Sequence, residues 1–118
     1  ILRYMWVIKN LNKEYNDYCF IPEKEGEYIV KLKTDYHFTN CAGFFDSCTD
    51  IININFRYFN TKKVNNMNLM FCGCENIENL DLSNFNTENV NNMVMMFSGC
   101  ENLNYLNLSS FNTKMFII

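Results

Sequence analysis

The chain repeats itself with a fixed period. Cys48, Cys74 and Cys100 are evenly spaced and open three blocks: repeat 1 (48–73, CTDIININFRYFNTKKVNNMNLMFCG), repeat 2 (74–99, CENIENLDLSNFNTENVNNMVMMFSG) and repeat 3 (from 100, CENLNYLNLSSFNTKMFII). A fixed period of about 20–50 residues is typical of solenoids, in which each unit stacks on the next. The period therefore predicts a repeat architecture, and such architectures present extended surfaces for binding.

Each repeat opens with a predicted strand. In repeat 2, Leu80 and Leu82 flank Asp81, and this alternation puts apolar side chains on one face and polar side chains on the other. Stacking then predicts a parallel sheet with one strand per repeat. The same alternation recurs at Ile54, Phe56, Leu106 and Leu108.

A Phe-Asn-Thr turn and a helical pattern follow the strand. In repeat 2 the turn ends at Thr87, and threonine is a favourable helix N-cap. Val90, Met93 and Phe97 then recur at spacings of three and four, and Gly99 stands where a helix C-cap glycine is expected. The pattern predicts one or two helical turns per repeat.

Stacking also predicts columns of identical side chains. We expect one column of phenylalanine rings and one column of amides that bond the neighbouring backbone, with simple surface polarity as the alternative for the amides. The two sets are Phe59, Phe85 and Phe111, and Asn60, Asn86 and Asn112.

The first residues of the chain do not follow the repeat. Residues 5–8 and 17–20 resemble two strands, and residues 27–32 resemble the strand of a degenerate first coil. Because terminal repeats must close the core, we interpret residues 1–33 as an N-terminal cap in which Trp6 is a core residue. Residues 34–118 are the predicted repeat domain, which stops partway through a repeat and is expected to continue in a longer protein.

The repeat resembles a known family. Residues 80–103 match the motif L-x-L-S-x-F-N-T-x-x-V-x-x-M-x-x-M-F-x-x-C-x-x-L throughout, and this motif is similar to the BspA-type leucine-rich repeat, also described as DUF285. The resemblance covers about residues 37–114. It implies an α/β solenoid of three to four leucine-rich-repeat-like coils, with short parallel strands on one face, short helices on the other and an N-terminal β cap.

The same resemblance implies a class of function. Similar proteins are surface proteins and lipoproteins of bacteria and mycoplasmas, and surface proteins of some protozoan parasites. The roles attributed to them are adhesion to host cells or matrix and immune interaction. The family carries no catalytic residues, so none is transferred to this chain.

The composition argues against catalytic and metal chemistry. His37 is the only histidine, and no serine or cysteine lies in a nucleophile motif. Cys72 and Cys74 form a single C-x-C, whereas structural zinc usually uses two separated pairs. We interpret the cysteines that recur at one repeat position as stacked, buried thiols. The expectation is therefore a non-enzyme with no cofactor and no metal ligand.

Charge and hydropathy limit the possible partners. The net charge is −3 with both signs scattered, which argues against nucleic acid. No apolar run approaches the roughly 20 residues of a membrane span, so we expect no direct membrane insertion. A protein or an extracellular-matrix ligand is the predicted partner.

The polar face of the predicted strands is the candidate binding face. We expect a non-catalytic module for protein–protein recognition, at the cell surface or secreted, that acts in adhesion or host interaction. An intracellular scaffold and a purely structural spacer are the alternatives. The six residues of the candidate face are Asn55, Arg57, Asp81, Ser83, Asn107 and Ser109.

Overall fold

The computed structural model describes residues Met5–Val7, Tyr18–Phe20, 38–57 and 59–112. The chain divides into two compact units, Ile1–Tyr36 and His37–Ile118. Several sequence-based predictions lie outside the described residues: the boundary after residue 33, the strand at 27–32, the position of His37, the side chain of Trp6 and the end of repeat 3.

The first unit contains two short antiparallel strands. β1 is Met5–Val7 and β2 is Tyr18–Phe20, with Trp6 opposite Cys19. They confirm the two strands predicted at residues 5–8 and 17–20, with bounds that differ by one residue.

In the second unit, positions one repeat apart lie side by side. β3 (Asn79–Asp81) and β4 (Tyr105–Asn107) pair in parallel, with Leu80 opposite Leu106. Repeat 1 has no strand of this length among the described residues, and its predicted strand is represented by one bridge. Three isolated parallel bridges keep the same register: Asn40 with Asn66, Asn53 with Asn79, and Asn66 with Asn92.

The predicted helices do not form in the described residues. Three segments of continuous turn stand in their place, at 42–47, 68–73 and 94–99, which we call the turn segments. Within the second one, the N–H groups of Met70 and Cys72 bond to carbonyls three residues earlier. The intervening N–H groups of Leu69, Phe71 and Gly73 bond instead to carbonyls of the next repeat, at distances of 2.7–3.0 Å. An α-helix would use all five donors internally, whereas here three of the five bond to the neighbouring repeat.

Backbone dihedral angles explain why the segments cannot continue as a helix. Gly43, Leu69 and Met95 share one repeat position and all have φ between 54° and 65°. A residue in the left-handed region ends a right-handed helix, and each turn segment has two of them, four positions apart. The second position is occupied by Ser47, Gly73 and Gly99, with φ between 59° and 76°.

Two columns of phenylalanine rings run through the stack of repeats. Phe59, Phe85 and Phe111 stack with centroid distances of 5.9 and 6.3 Å, which confirms the predicted column. The second column contains Phe45, Phe71 and Phe97, with distances of 5.5 and 5.8 Å and rings within 6° of parallel. Edge-to-face contacts of Phe56 with Phe71 and Phe85 join the two columns. Aromatic pairs favour this geometry.

The threonine of the Phe-Asn-Thr turn joins repeats instead of capping a helix. The Thr61 hydroxyl accepts a hydrogen bond from the backbone N–H of Asn86 at 2.8 Å, and the Thr87 hydroxyl does the same for Asn112. Both threonines are almost fully buried. The N-cap prediction is wrong because no helix follows either threonine in the described repeats, while a backbone N–H of the next repeat lies within reach.

Candidate functional site

The six predicted face residues lie in two rows. One row is Asn55, Asp81 and Asn107, and the other is Arg57, Ser83 and Ser109, with neighbours in each row one repeat apart. All six are exposed except Asn107, which is half-buried. The alternating pattern holds because Leu80 and Leu82, on either side of Asp81, are fully buried. We call these six residues the recognition face.

Three of the six recognition-face residues stabilise the backbone through hydrogen bonds. The side-chain oxygens of Asn55, Asp81 and Asn107 accept hydrogen bonds from the backbone N–H two residues later, at 2.9–3.0 Å. This Asx-turn arrangement fixes the end of each strand. The second row, Arg57, Ser83 and Ser109, supplies the backbone N–H groups that these oxygens accept from.

Asp81 is held in its charged form. Its carboxylate accepts hydrogen bonds from the side chain and the backbone N–H of Ser83 and from the side chain of Asn107, and these bonds lower its pKa below the usual aspartate value. Burial opposes the shift, but the two bonds from Ser83 outweigh it. Asp81 therefore contributes a negative charge and a link between two repeats.

Sequence reasoning missed one exposed aromatic residue on this side of the sheet. Tyr105 keeps 51% of its surface exposed and occupies the position of Asn53 and Asn79 in earlier repeats. Exposed tyrosines are common anchors in protein interfaces. The signal was present, because Tyr105 lies two residues before Asn107 and so on the same face of the strand.

A second surface feature lies at the Phe-Asn-Thr corner, where repeat 1 meets repeat 2. It is an open cleft of about 330 Å³, which we call the corner cleft. Arg57 belongs to both the recognition face and this cleft. The lining residues are Arg57, Phe59, Asn60, Thr61, Lys62, Asn84 and Asn86.

The recurring cysteines form a column of protonated thiols. Cys74 donates its S–H to the carbonyl of Phe45 at 3.0 Å, and Cys100 donates to Phe71 at 3.2 Å. Burial raises the pKa of Cys48 and Cys74 to about 12, so these thiols carry no nucleophilic thiolate at neutral pH.

Other thiols and potential metal ligands complete the description. Cys41 is buried and its pKa is raised to about 12 by burial, and Cys72 is a half-buried free thiol. Across residues 38–57 and 59–112, no three His, Cys, Asp or Glu side chains gather in a group that could hold a metal ion. The same part of the chain has no long apolar helix of the kind that crosses a membrane.

Comparison with known proteins identifies a family. A family model described as "Mycoplasma protein of unknown function, DUF285" matches residues 39–117, about two thirds of the chain. No curated protein and no solved structure matches the chain. The match spans all three repeats, so the chain belongs to the DUF285 family.

Proposed function

We propose that the chain is a leucine-rich-repeat-like solenoid of the BspA type that acts as a non-catalytic module for recognising a protein partner. The observation that carries this proposal is the exposed side of the short sheet. Equivalent positions of successive repeats pair in parallel there, and each repeat contributes one side chain to each row of the recognition face. A stack of this kind gives a continuous surface whose chemistry is set row by row.

The recognition face has the features of a rigid protein-binding surface. Backbone bonds between repeats fix the strands, and the Asx turns fix their ends. Arg57, Ser83 and Ser109 then offer polar groups, and Tyr105 offers a large, partly apolar ring. A fixed surface loses little conformational entropy when it binds, which favours affinity.

A cell-surface or secreted location, with adhesion to a host protein or matrix, is the setting we propose. The resemblance to BspA-type surface proteins supports it. Labelling intact source cells with a membrane-impermeant amine reagent tests the location, because Lys62 and Lys63 are exposed. Labelling at these lysines before lysis supports the surface setting, and labelling only after lysis favours the intracellular scaffold.

Binding of the protein to immobilised extracellular-matrix proteins tests the recognition face itself. Alanine at Asp81 or Asn107 is a poor probe, because it also removes an Asx turn. Ser83→Trp and Ser109→Trp place a bulky side chain on the face at exposed positions, so each should weaken binding at least about tenfold, or about 1.4 kcal/mol.

Glu101→Trp is the matched control, since Glu101 is exposed outside the strands. Equal losses for all three variants would contradict the proposed face. Undiminished binding by Ser83→Trp and Ser109→Trp would favour the alternative in which the repeats are a spacer.

A further inference from the structure

The last turn segment ends in a row of unpaired backbone donors. Inside the stack, alternate N–H groups of one turn segment donate to carbonyls of the next at 2.7–3.0 Å, as Leu69 does to Val94. Among the described residues, no further turn segment follows residues 94–99. The corresponding N–H groups there have no acceptor, and we call them the donor edge: Met93, Met95, Phe97 and Gly99.

The first turn segment has unpaired carbonyls in the matching places. In the second turn segment, the carbonyls of Met70 and Cys72 accept hydrogen bonds from the N–H groups of Phe45 and Ser47. The equivalent carbonyls beside and within the first turn segment accept no hydrogen bond in the part of the chain that the structure describes. We call them the acceptor edge: Asn40, Ala42, Phe44 and Asp46.

Both edges are more exposed than the same positions inside the stack. Phe71 is fully buried between two neighbours, whereas Phe97 at the donor edge is half-buried. Met95, also at the donor edge, keeps 57% of its surface exposed. At the acceptor edge, Phe44 is half-buried where Met70 of the next repeat is fully buried. Each edge therefore lacks the cover that a neighbouring repeat provides.

The two edges match each other in register. Met95 occupies the repeat position of Leu69, and Ala42 occupies that of Val94. Because Leu69 donates to Val94 inside the stack, the N–H of Met95 in one copy would meet the carbonyl of Ala42 in a second copy. The same shift pairs the other three donors of the edge with the other three acceptors.

A two-fold pairing of donor edges would leave these groups unsatisfied. The carbonyls of Met93 and Met95 already accept from Met96 and Ser98 within the segment. The carbonyls that alternate with them point to the preceding repeat. Two donor edges would thus present only N–H groups to each other, so the edge requires a partner that offers carbonyls two residues apart.

We propose that the donor edge of one copy of this chain binds the acceptor edge of a second copy, head to tail. The established contact between repeats 1 and 2 supports this occupant, because the edges reproduce its donors, its acceptors and its ring position. Phe97 would stack on Phe45 of the second copy, as it stacks on Phe71 at 5.8 Å within its own chain. Unpaired rows of N–H and C=O groups are templates for such pairing, and a head-to-tail contact leaves one free edge on each outer copy. This inference does not depend on the recognition face.

Sedimentation equilibrium of the whole chain over a wide range of protein concentration tests the proposal. The weight-average mass should rise with concentration to the dimer and beyond. Met95→Asp puts a carboxylate against the carbonyls of the partner, and aspartate tolerates the φ of 54° at this position. It should weaken self-association at least about tenfold, whereas the uncharged Met95→Asn, which has the same shape, should weaken it about threefold or less.

A variant of the acceptor edge makes the test directional. Ala42→Lys puts a positive charge against the donor edge of the partner, and Asn68 and Val94 show that this repeat position holds larger side chains. Met95→Asp and Ala42→Lys should each be monomeric alone. Their mixture should associate, because each variant keeps the edge that the other has lost. Circular dichroism and the thermal midpoint check that each variant folds.

Amide hydrogen exchange followed by NMR locates the contact. The N–H groups of Met95 and Phe97 should exchange more slowly as the protein concentration rises. The N–H of Lys63, an exposed residue outside both edges, is the internal control and should not change.

Three results would overturn the proposal. One is a monomer at every concentration, which would leave the donor edge to another occupant, such as a further repeat. Another is undiminished self-association of Ala42→Lys, which would indicate that the acceptor edge takes no part. The third is an equal loss for Met95→Asp and Met95→Asn, because a partner that presents carbonyls must discriminate against the charge.

Discussion

At the scale of single residues, asparagine side chains stabilise most of the turns. Its side-chain oxygen accepts a hydrogen bond from the backbone N–H two residues later at three positions in the repeat, and Asp81 takes the same role once. This bonding gives the many asparagines of the repeat a structural role in its turns. The positions are Asn40, Asn66 and Asn92; Asn55, Asp81 and Asn107; and Asn60 and Asn86.

The predicted amide column shows how much of this was visible in the sequence. The oxygens of Asn60 and Asn86 accept bonds within their own turns, whereas the prediction had their side chains bond the neighbouring repeat. Amides do bond across repeats at other positions, such as Asn102 to the carbonyl of Glu75 at 2.7 Å. Spacing predicted that asparagines align, but only backbone geometry decides which carbonyl or N–H each amide can reach.

Asp81 gives the protein a pH dependence that the other repeats lack at this position. Its pKa is lower in the folded protein than in the unfolded chain, so the unfolded state takes up the proton first as pH falls. The stabilisation is therefore complete above about pH 4 and is lost as pH falls through the native pKa. Asp81→Asn keeps the Asx acceptor found at residues 55 and 107 and removes the titration.

Urea unfolding of both proteins between pH 7 and pH 2 checks this prediction. The difference in free energy of unfolding between the original chain and Asp81→Asn should shrink below pH 4. A constant difference across that range would show that Asp81 titrates equally in the folded and unfolded states.

Met95 is a strained position that glycine should relieve. Its φ is 54° and its side chain is 57% exposed, so little packing is lost on truncation. Left-handed geometry costs a non-glycine residue about 1–2 kcal/mol, and glycine avoids this cost. Glycine also makes the unfolded chain more flexible, which lowers the free energy of unfolding by about 0.5–1 kcal/mol. Met95→Gly should therefore raise the free energy of unfolding by up to about 1 kcal/mol.

Val94→Gly is the control for this variant. Val94 is 62% exposed and its φ is not positive, so glycine there should only destabilise. Chemical denaturation measures both variants, and a loss of stability in Met95→Gly would contradict the strain.

At the scale of elements, the turn segment is the unit that sequence reasoning misread. Apolar spacings of three and four correctly marked a buried side, because Val64 and Met67, just before the second turn segment, and Phe71 within it are fully buried. The same spacing is produced by consecutive turns with a left-handed residue every fourth position. Gly73 and Gly99 indicated one of these left-handed positions in the sequence. The other position, occupied by Leu69 and Met95, could not be predicted, because leucine and methionine rarely adopt a positive φ.

The two kinds of left-handed glycine should respond differently to a methyl group. At Gly99, φ is 76° and an added Cβ would lie 3.3 Å from the Cα of Gly73 in the preceding repeat. At Gly43, φ is 65° and the nearest atom would be the Asp46 Cβ at 3.8 Å. Gly43→Ala should lose about 1–2 kcal/mol from the dihedral angle alone.

Gly99→Ala should lose more, because the backbone of the neighbouring repeat must also move. Thermal and urea unfolding of the two variants compare these costs. Equal losses would mean that repeats 1 and 2 do not approach as closely at this turn as the structure shows.

The buried threonine hydroxyl also joins neighbouring repeats. Thr61→Val keeps the shape of the side chain but leaves the N–H of Asn86 without its acceptor, which should cost about 1–3 kcal/mol. Thr61→Ser keeps the hydroxyl and removes one methyl group, so its loss should be about 0.8 kcal/mol. Urea denaturation ranks the two variants, and a greater loss for serine than for valine would contradict the bond between repeats.

At the scale of the whole molecule, the fixed period of the sequence is the property from which most of the architecture follows. It predicted which residues pair, the phenylalanine column at Phe59 and the exposed side of the strands. It did not predict the partition of backbone donors between a turn segment and its neighbour, because that depends on competition between two repeats. The corner cleft was not predicted either, because its lining residues come from two repeats. Its two basic residues, Arg57 and Lys62, stand where repeat 2 has Ser83 and Glu88.

The most direct test of the account is an NMR measurement of scalar couplings across backbone hydrogen bonds in the turn segments. Couplings are expected from the N–H of Met67, Leu69 and Phe71 to the carbonyls of Asn92, Val94 and Met96, all of them in the following repeat. Couplings from Phe71 to the carbonyl of Met67, four residues earlier, would instead show an α-helix and contradict the stacking of turn segments.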